Sequence, residues 1–213
     1  MGNFYANLAM RGVDPDRVAS VLESHERTAF IATVGDSAFI YDERCDAQDL
    51  SESRTLARIV ARELGISVLA VSNHDDDVLW IALADQRGAV DVYDSYPGYF
   101  DGGSDQPKLS SLSRLSAAFG APRAELEKLL RTPHGAIGLE VERHRRLMSI
   151  LTVNPDAAVF GYRYAPRASS RSPFHLFRCG TLEARLNPPR LKARSMCPSF
   201  PPRPCWPAHL SPA

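Results

Sequence analysis

The sequence predicts an α+β domain, and three observations carry that expectation. Strand-like and helical patterns alternate over the first hundred residues. Turn signals at Gly35-Asp36, His74–Asp77 and Gln86–Gly88 join successive strand runs as antiparallel neighbours. From residue 108 the pattern becomes helical and stays so to about residue 151.

In order, residues 3–10 read as a strand with Phe4, Ala6 and Leu8 on one face. Asp14-Pro15 opens a helix, Asp14 as N-cap and Pro15 at the first helical position, and Val18, Val21 and Leu22 form its apolar stripe. Residues 28–34 and 37–42 form a hairpin. Ser51 is expected to cap a second helix with Leu56, Ile59, Val60 and Leu64 on its inner face and Gly65 just past its end. Residues 66–72 are nearly all apolar, as a central strand would be. Two further strands, 78–84 and 89–93, follow through tight turns. Helical segments at 108–119, 123–131 and 138–151 are expected to cover one face of the sheet. The first six elements run βαββαβ, the ferredoxin-like order, with two antiparallel strands extending one edge. Fold order of this kind carries no function by itself.

Charge divides the chain. The 25 Lys and Arg balance the 25 Asp and Glu, but residues 1–165 hold 17 of the former against 24 of the latter. Residues 166–213 hold 8 against 1, with 10 of the 16 prolines. The expectation is one α+β domain over 1–165 and a Pro/Arg-rich tail over 166–213 that is disordered. Within that tail Phe174–Leu186 is the segment that reads as a helix or strand. The tail reads either as a basic interaction arm or as read-through from an altered reading frame, and its scattered charge favours the second.

The acidic body argues against nucleic acid as a partner. There is no run of 18 apolar residues and no basic, then apolar leader, so neither a membrane partner nor export is expected, and a cytoplasmic setting follows by default. Ala6 stands where myristoylation of Gly2 wants Ser or Thr. Cys45 is alone among residues 1–165, and the spacing of Cys179, Cys197, Cys205 and His209 matches no zinc finger. No cofactor is expected: no dinucleotide fingerprint, phosphate-binding loop or nucleophile elbow occurs.

Four segments, Met1–Tyr5, Asn73–Leu79, Tyr93–Phe100 and Gly161–Tyr164, resemble those of a family of uncharacterised bacterial proteins. The resemblance covers about residues 1–165. It implies a domain ending near Ala165 and brings no activity.

Three constellations are candidates for chemistry. His74, Asp75, Asp76 and Asp77 form an oxygen-rich turn that would suit Mg²⁺ or Ca²⁺, although alternate side chains diverge on a strand-turn-strand; the competing expectation is a solvated hairpin tip. Asp94, Tyr96, Tyr99 and Phe100 surround the turn dipeptide Pro97-Gly98, with Gly98 free to take positive φ. Aromatics there make a recognition surface, or else Tyr99 and Phe100 plug the sheet end. Glu140 and His144, one turn apart on a helix face with Arg143, Glu142, Arg145 and Arg146 around them, could orient a general base, but alternating charges of this kind most often mark a solvated face. The function expected is a non-catalytic interaction module for a protein partner, an immunity-type protein being one instance, and the acidic body suits a basic partner. The alternative is a small metal-dependent hydrolase built on residues 74–77.

Overall fold

The computed structural model describes residues 2–165 and the backbone of 175–179, with side chains at Arg178 and Cys179. Among these residues the fold is α+β, one eight-stranded antiparallel sheet and five α-helices. The strands are β1 (Tyr5–Arg11), β2 (Ala29–Val34), β3 (Ser37–Asp42), β4 (Val68–His74), β5 (Val78–Ala84), β6 (Val90–Asp94), β7 (Lys108–Leu109) and β8 (His175–Cys179). The helices are α1 (Pro15–Ser24), α2 (Leu50–Leu64), α3 (Leu112–Phe119), α4 (Arg123–Leu130) and α5 (Glu140–Ile150). The sheet order is β7-β6-β5-β4-β1-β3-β2-β8, so the first strand lies in the interior of the sheet.

Strand alternation assigns the two faces. On β1, Ala6, Leu8 and Met10 pack with Val18 and Leu22 of α1 and Leu56 and Val60 of α2. On the opposite face Ala9, Phe39, Leu69, Val71 and Ile81 pack with Leu115, Leu126 and Leu147 of α3–α5. The central β4 divides as its sequence predicts: Val68 and Ala70 belong to the first core, Leu69 and Val71 to the second, all buried.

Three helix starts differ from the expected ones, α5 only by its opening at Glu140 rather than 138. The cap of α2 is Asp49, whose carboxylate accepts from the backbone N–H of Ser51 at 2.8 Å and of Glu52 at 3.3 Å; Ser51 itself lies inside the first turn. The third helical pattern begins four residues late, because Lys108 and Leu109 pair with Asp94 and Tyr93 as β7. Ser111 then caps α3 by accepting from Arg114 N–H. At the other edge β8 pairs with β2 from Thr33–His175 to Ala29–Cys179, so the sheet continues past Ala165 within the segment Phe174–Leu186. The rest of the tail, with Cys197, Cys205 and His209, lies outside the described residues.

One ion-pair group is buried on the α1–α2 side. Arg27 donates through Nε to Asp42 at 3.0 Å, through Nη2 to the same carboxylate at 2.5 Å, and through Nη1 to Glu52 at 2.8 Å. Burial alone would lower the Arg27 pKa, but the hydrogen bonds to Asp42 and Glu52 outweigh it and raise the value. Burial, with the Asp42 charge second, pushes the neighbouring Cys45 thiol up to about 12, so it is not a nucleophile at neutral pH. No helix among the described residues is long and apolar enough to cross a membrane.

Candidate functional site

The β4–β5 connection carries His74, Asp75, Asp76 and Asp77. Asp75 and Asp76 both take left-handed backbone angles, φ 54° and 61°, which gives the turn a type I′ form closed by Asp77 N–H to His74 C=O at 3.0 Å. Aspartate tolerates this conformation better than most residues. The three carboxylates take different partners. Asp75 accepts from the backbone N–H of Gly2 at 2.9 Å. Asp76 accepts from the backbone and side-chain amides of Asn3 at 2.9 and 2.8 Å, and from Asn73 Nδ2 at 2.7 Å. Asp77 accepts from the Tyr99 hydroxyl at 3.3 Å. The backbone carbonyl of Asp76 also accepts from Glu140 N–H at the start of α5, at 2.8 Å.

This turn is therefore not a solvated hairpin tip: Asp76 is only 4% exposed. Nor does the structure bring His74, Asp75, Asp76 and Asp77 to one point. Among the described residues no group of three or more His, Cys, Asp or Glu is placed to hold a metal ion. The repulsion expected of three adjacent carboxylates is offset by amide donors from Asn3 and Asn73, the first of them far away in sequence. The approach is close: a Cβ on Gly2 would lie 2.0 Å from the Asp75 carbonyl oxygen.

His74 points away from the acids, into rings. Its Nδ1 lies 2.6 Å from Gln48 Oε1. Its imidazole meets Phe4, Trp80, Tyr99 and Phe100 edge-on, with centroids 4.9, 6.1, 5.8 and 5.4 Å away. Phe100 lies parallel to the Trp80 indole at 6.0 Å. The cluster sits where the start of β1, the β4–β5 turn and the loop after β6 converge, and it faces outward. Phe100 is 70% exposed and Phe4 43%.

The loop that delivers Phe100 is fixed at its root. Buried Ser95 accepts from Leu79 N–H through its hydroxyl at 2.8 Å and donates its own N–H to Leu79 C=O at 3.1 Å. The Asp94 carboxylate accepts from Tyr96 N–H at 3.0 Å and closes a local turn. Gly98 does not take positive φ; a Cβ there would lie 2.5 Å from the Gly103 carbonyl carbon, so the residue is needed for close approach. Of the four expected binding residues, Tyr99 and Phe100 join the patch. Tyr96 touches Tyr99 edge-on at 5.8 Å and stacks on His134 at 4.4 Å. Burial, then Asp77, raises the Tyr99 phenol. Phe4, Gln48, His74 and Trp80 complete the group. Proximity of Gln48 and Trp80 to this loop arises only from sheet pairing and from the position of α2, which local pattern does not report.

The third constellation is not a solvated face. Glu140, Arg143 and His144 are all buried. Arg143 donates through Nε to Glu140 at 2.7 Å, through Nη1 to the carbonyls of Leu129 at 2.7 Å and Thr132 at 2.9 Å, and through Nη2 to that of Pro133 at 3.2 Å. It thus satisfies the carbonyl end of α4 while neutralising the carboxylate. His144 Nδ1 lies 2.8 Å from the Tyr5 hydroxyl, its ring stacked on Tyr5, and its Nε2 has no partner among the described residues. Burial, with Arg145 adding, pulls the imidazole down to about 3. Glu142 and Arg146 do form the expected exposed pair one turn apart, at 3.0 Å. Between α4 and α5 runs a groove of about 740 Å³ whose apolar lining includes Leu129, Ile137 and Ile150.

Comparison with protein-family models, with curated proteins and with solved structures finds no match to this chain.

Proposed function

We propose that this chain is a non-catalytic interaction module whose protein-docking surface is the aromatic patch Phe4–His74–Trp80–Tyr99–Phe100. The observation that carries the reading is Phe100, 70% exposed yet stacked on Trp80 and fixed over rigid strands. Single exposed aromatics are ordinary, but several rings gathered on one rigid platform bring large contact area at low entropic cost. An immunity-type protein neutralising a toxin is one instance, in keeping with the resemblance to uncharacterised bacterial proteins and with a cytoplasmic setting. The acidic balance of residues 1–165 supports a protein partner over nucleic acid. The core order β4-β1-β3-β2 supports reading the framework as ferredoxin-like, extended by β5–β7 at one edge and by β8 at the other. The metal-dependent hydrolase has no observation in its favour, since the acidic turn spends its carboxylates on Gly2, Asn3, Asn73 and Tyr99.

The test compares wild type with Phe4→Ala/Phe100→Ala in affinity capture from host extract, with circular dichroism as a control for folding. A partner held by the wild type and reduced roughly 30-fold or more by the double variant is expected, the scale of an interface hot spot. Equal capture by both proteins would remove the patch from the reading.

A further inference from the structure

Resting on that reading, we propose that the patch receives a basic segment of its partner, with an Arg or Lys side chain laid over the open ring faces of Phe4 and Phe100. The charge around the rings makes the argument. Three stretches build the patch: residues 2–10, 72–86 and 94–107. Apart from Asp85, which lies beyond the far end of β5 and pairs with Arg114, they carry six carboxylates and no Lys or Arg. Asp101 and Asp105 are exposed on the same loop as Phe100. Asp77 stands beside Tyr99 and Asp75 beside Gly2. Their hydrogen bonds to neutral donors orient these carboxylates without cancelling their charge. Cations stand nearby at Arg54, which lines a hollow with Trp80, and at Lys108, paired with Asp94 across β6 and β7.

A ring face is the negative end of an aromatic quadrupole, and a cation within about 6 Å of it is attracted. Carboxylates around the rings add a longer-range field that steers a cationic segment inward and repels an acidic one. An apolar partner would gain from the rings alone and be indifferent to the acids. A basic one uses both features. Arginine fits best, because its planar guanidinium can lie on a ring while its edge donates to a carboxylate.

The experiment is selection from a random peptide library on the immobilised full chain at low salt, with Phe4→Ala/Phe100→Ala as the counter-selection. Peptides retained by the wild type and not by the variant are expected to be several-fold enriched in Arg and Lys. Affinity for the best of them should fall roughly tenfold or more in the ring variant. It should fall by about 2- to 5-fold in Asp101→Asn/Asp105→Asn and on raising salt from about 0.05 to 0.5 M, as exposed charges are screened. Replacing the peptide's arginines by citrulline keeps the shape and removes the charge. If the citrulline peptide binds equally, or the enriched pool is neutral or acidic, the basic partner is wrong while the docking surface stands. If no pool separates wild type from the ring variant, the docking surface itself is wrong. A synthetic peptide of residues 180–213 is added as competitor. If it displaces the selected peptides at comparable concentration, the occupant is the chain's own basic tail and the separate partner falls. Dimerisation of the wild type that the ring variant abolishes would put a second copy there instead.

Discussion

Arg27 and Arg143 are both buried and both face a carboxylate, on opposite sides of the same sheet, but their surroundings differ. Arg27 joins two acids from different elements, Asp42 of β3 and Glu52 of α2. Asp42 would not be stranded without it, because it also accepts from the backbone N–H groups of Arg44 at 3.0 Å and Cys45 at 2.9 Å. Glu140 has no such reserve. Apart from Arg143 its nearest charged neighbour is His134, 3.8 Å away. Arg143 also serves one carbonyl in the last turn of α4 and two just past its end. The cost of removing a buried arginine depends on what the orphaned groups can fall back on, and here that differs between the two faces.

The largest expected effect follows from that contrast. Arg143→Leu strands a buried carboxylate and the Thr132 carbonyl, while Leu129 and Pro133 keep the N–H groups of Thr132 and Ala136, and it should cost on the order of 3–5 kcal/mol in urea unfolding. Adding Glu140→Gln should recover part of the loss. Arg27→Leu leaves Asp42 with two N–H donors and Glu52 at the surface, and should cost less, about 2–3 kcal/mol by the same measurement. Equal costs for the two would show that the fallback donors at Asp42 do not matter.

His144 gives a pH test confined to the α3–α5 face. Its folded value, about 3, lies below the ordinary 6.5, so the unfolded chain takes up a proton that the folded chain refuses. The stability tied to neutral His144 is present above about pH 6.5 and is lost as pH falls toward 3. The slope is on the order of 1.4 kcal/mol per pH unit through that window. Urea melts of wild type against His144→Gln should therefore converge as the pH is lowered. A gap that stays constant from pH 7 to 4 would mean that the imidazole is reached by solvent. The smallest effect is expected at Gly2→Ala. The added Cβ meets the Asp75 carbonyl, and displacing two N-terminal residues should cost about 1 kcal/mol in a thermal melt.

Much of the framework was legible where signals are local. Pro15 with Asp14 marks the start of α1, Gly35-Asp36 the β2–β3 hairpin, and Val78–Ala84 is β5 as expected. What stayed hidden was the fate of polar groups whose partners lie far along the chain. Charges spaced three and four residues apart on α5 look the same whether their partners are water or the carbonyls of α4, so the burial of Glu140, Arg143 and His144 had no signature. The same holds for Asp76, which looks like one of three exposed acids until Asn3 arrives from 73 residues away. Within the patch, Tyr99 and Phe100 were readable because they sit beside Pro97-Gly98. Phe4, Gln48 and Trp80 were not, since only the pairing of β1, β4 and β5 gathers them.

The interior position of β1 has a consequence for synthesis. Of the described strands this one is made first, yet its neighbours on both sides, β3 and β4, come later, and its polar side chains wait far longer. Tyr5 meets His144, 139 residues on, and Asn7 Nδ2 donates to the carbonyls of Ala158 and Phe160, more than 150 residues on. Until that stretch emerges, β1 would expose an amide and a phenol on a surface destined for burial. Contacts so distant in sequence close late and slowly. The nascent chain is thus committed to a long interval with its central strand half-dressed, a state in which unpaired edges invite association. Chains halted before α5 should accordingly be recovered in the insoluble fraction, and chains long enough to include β8 in the soluble one.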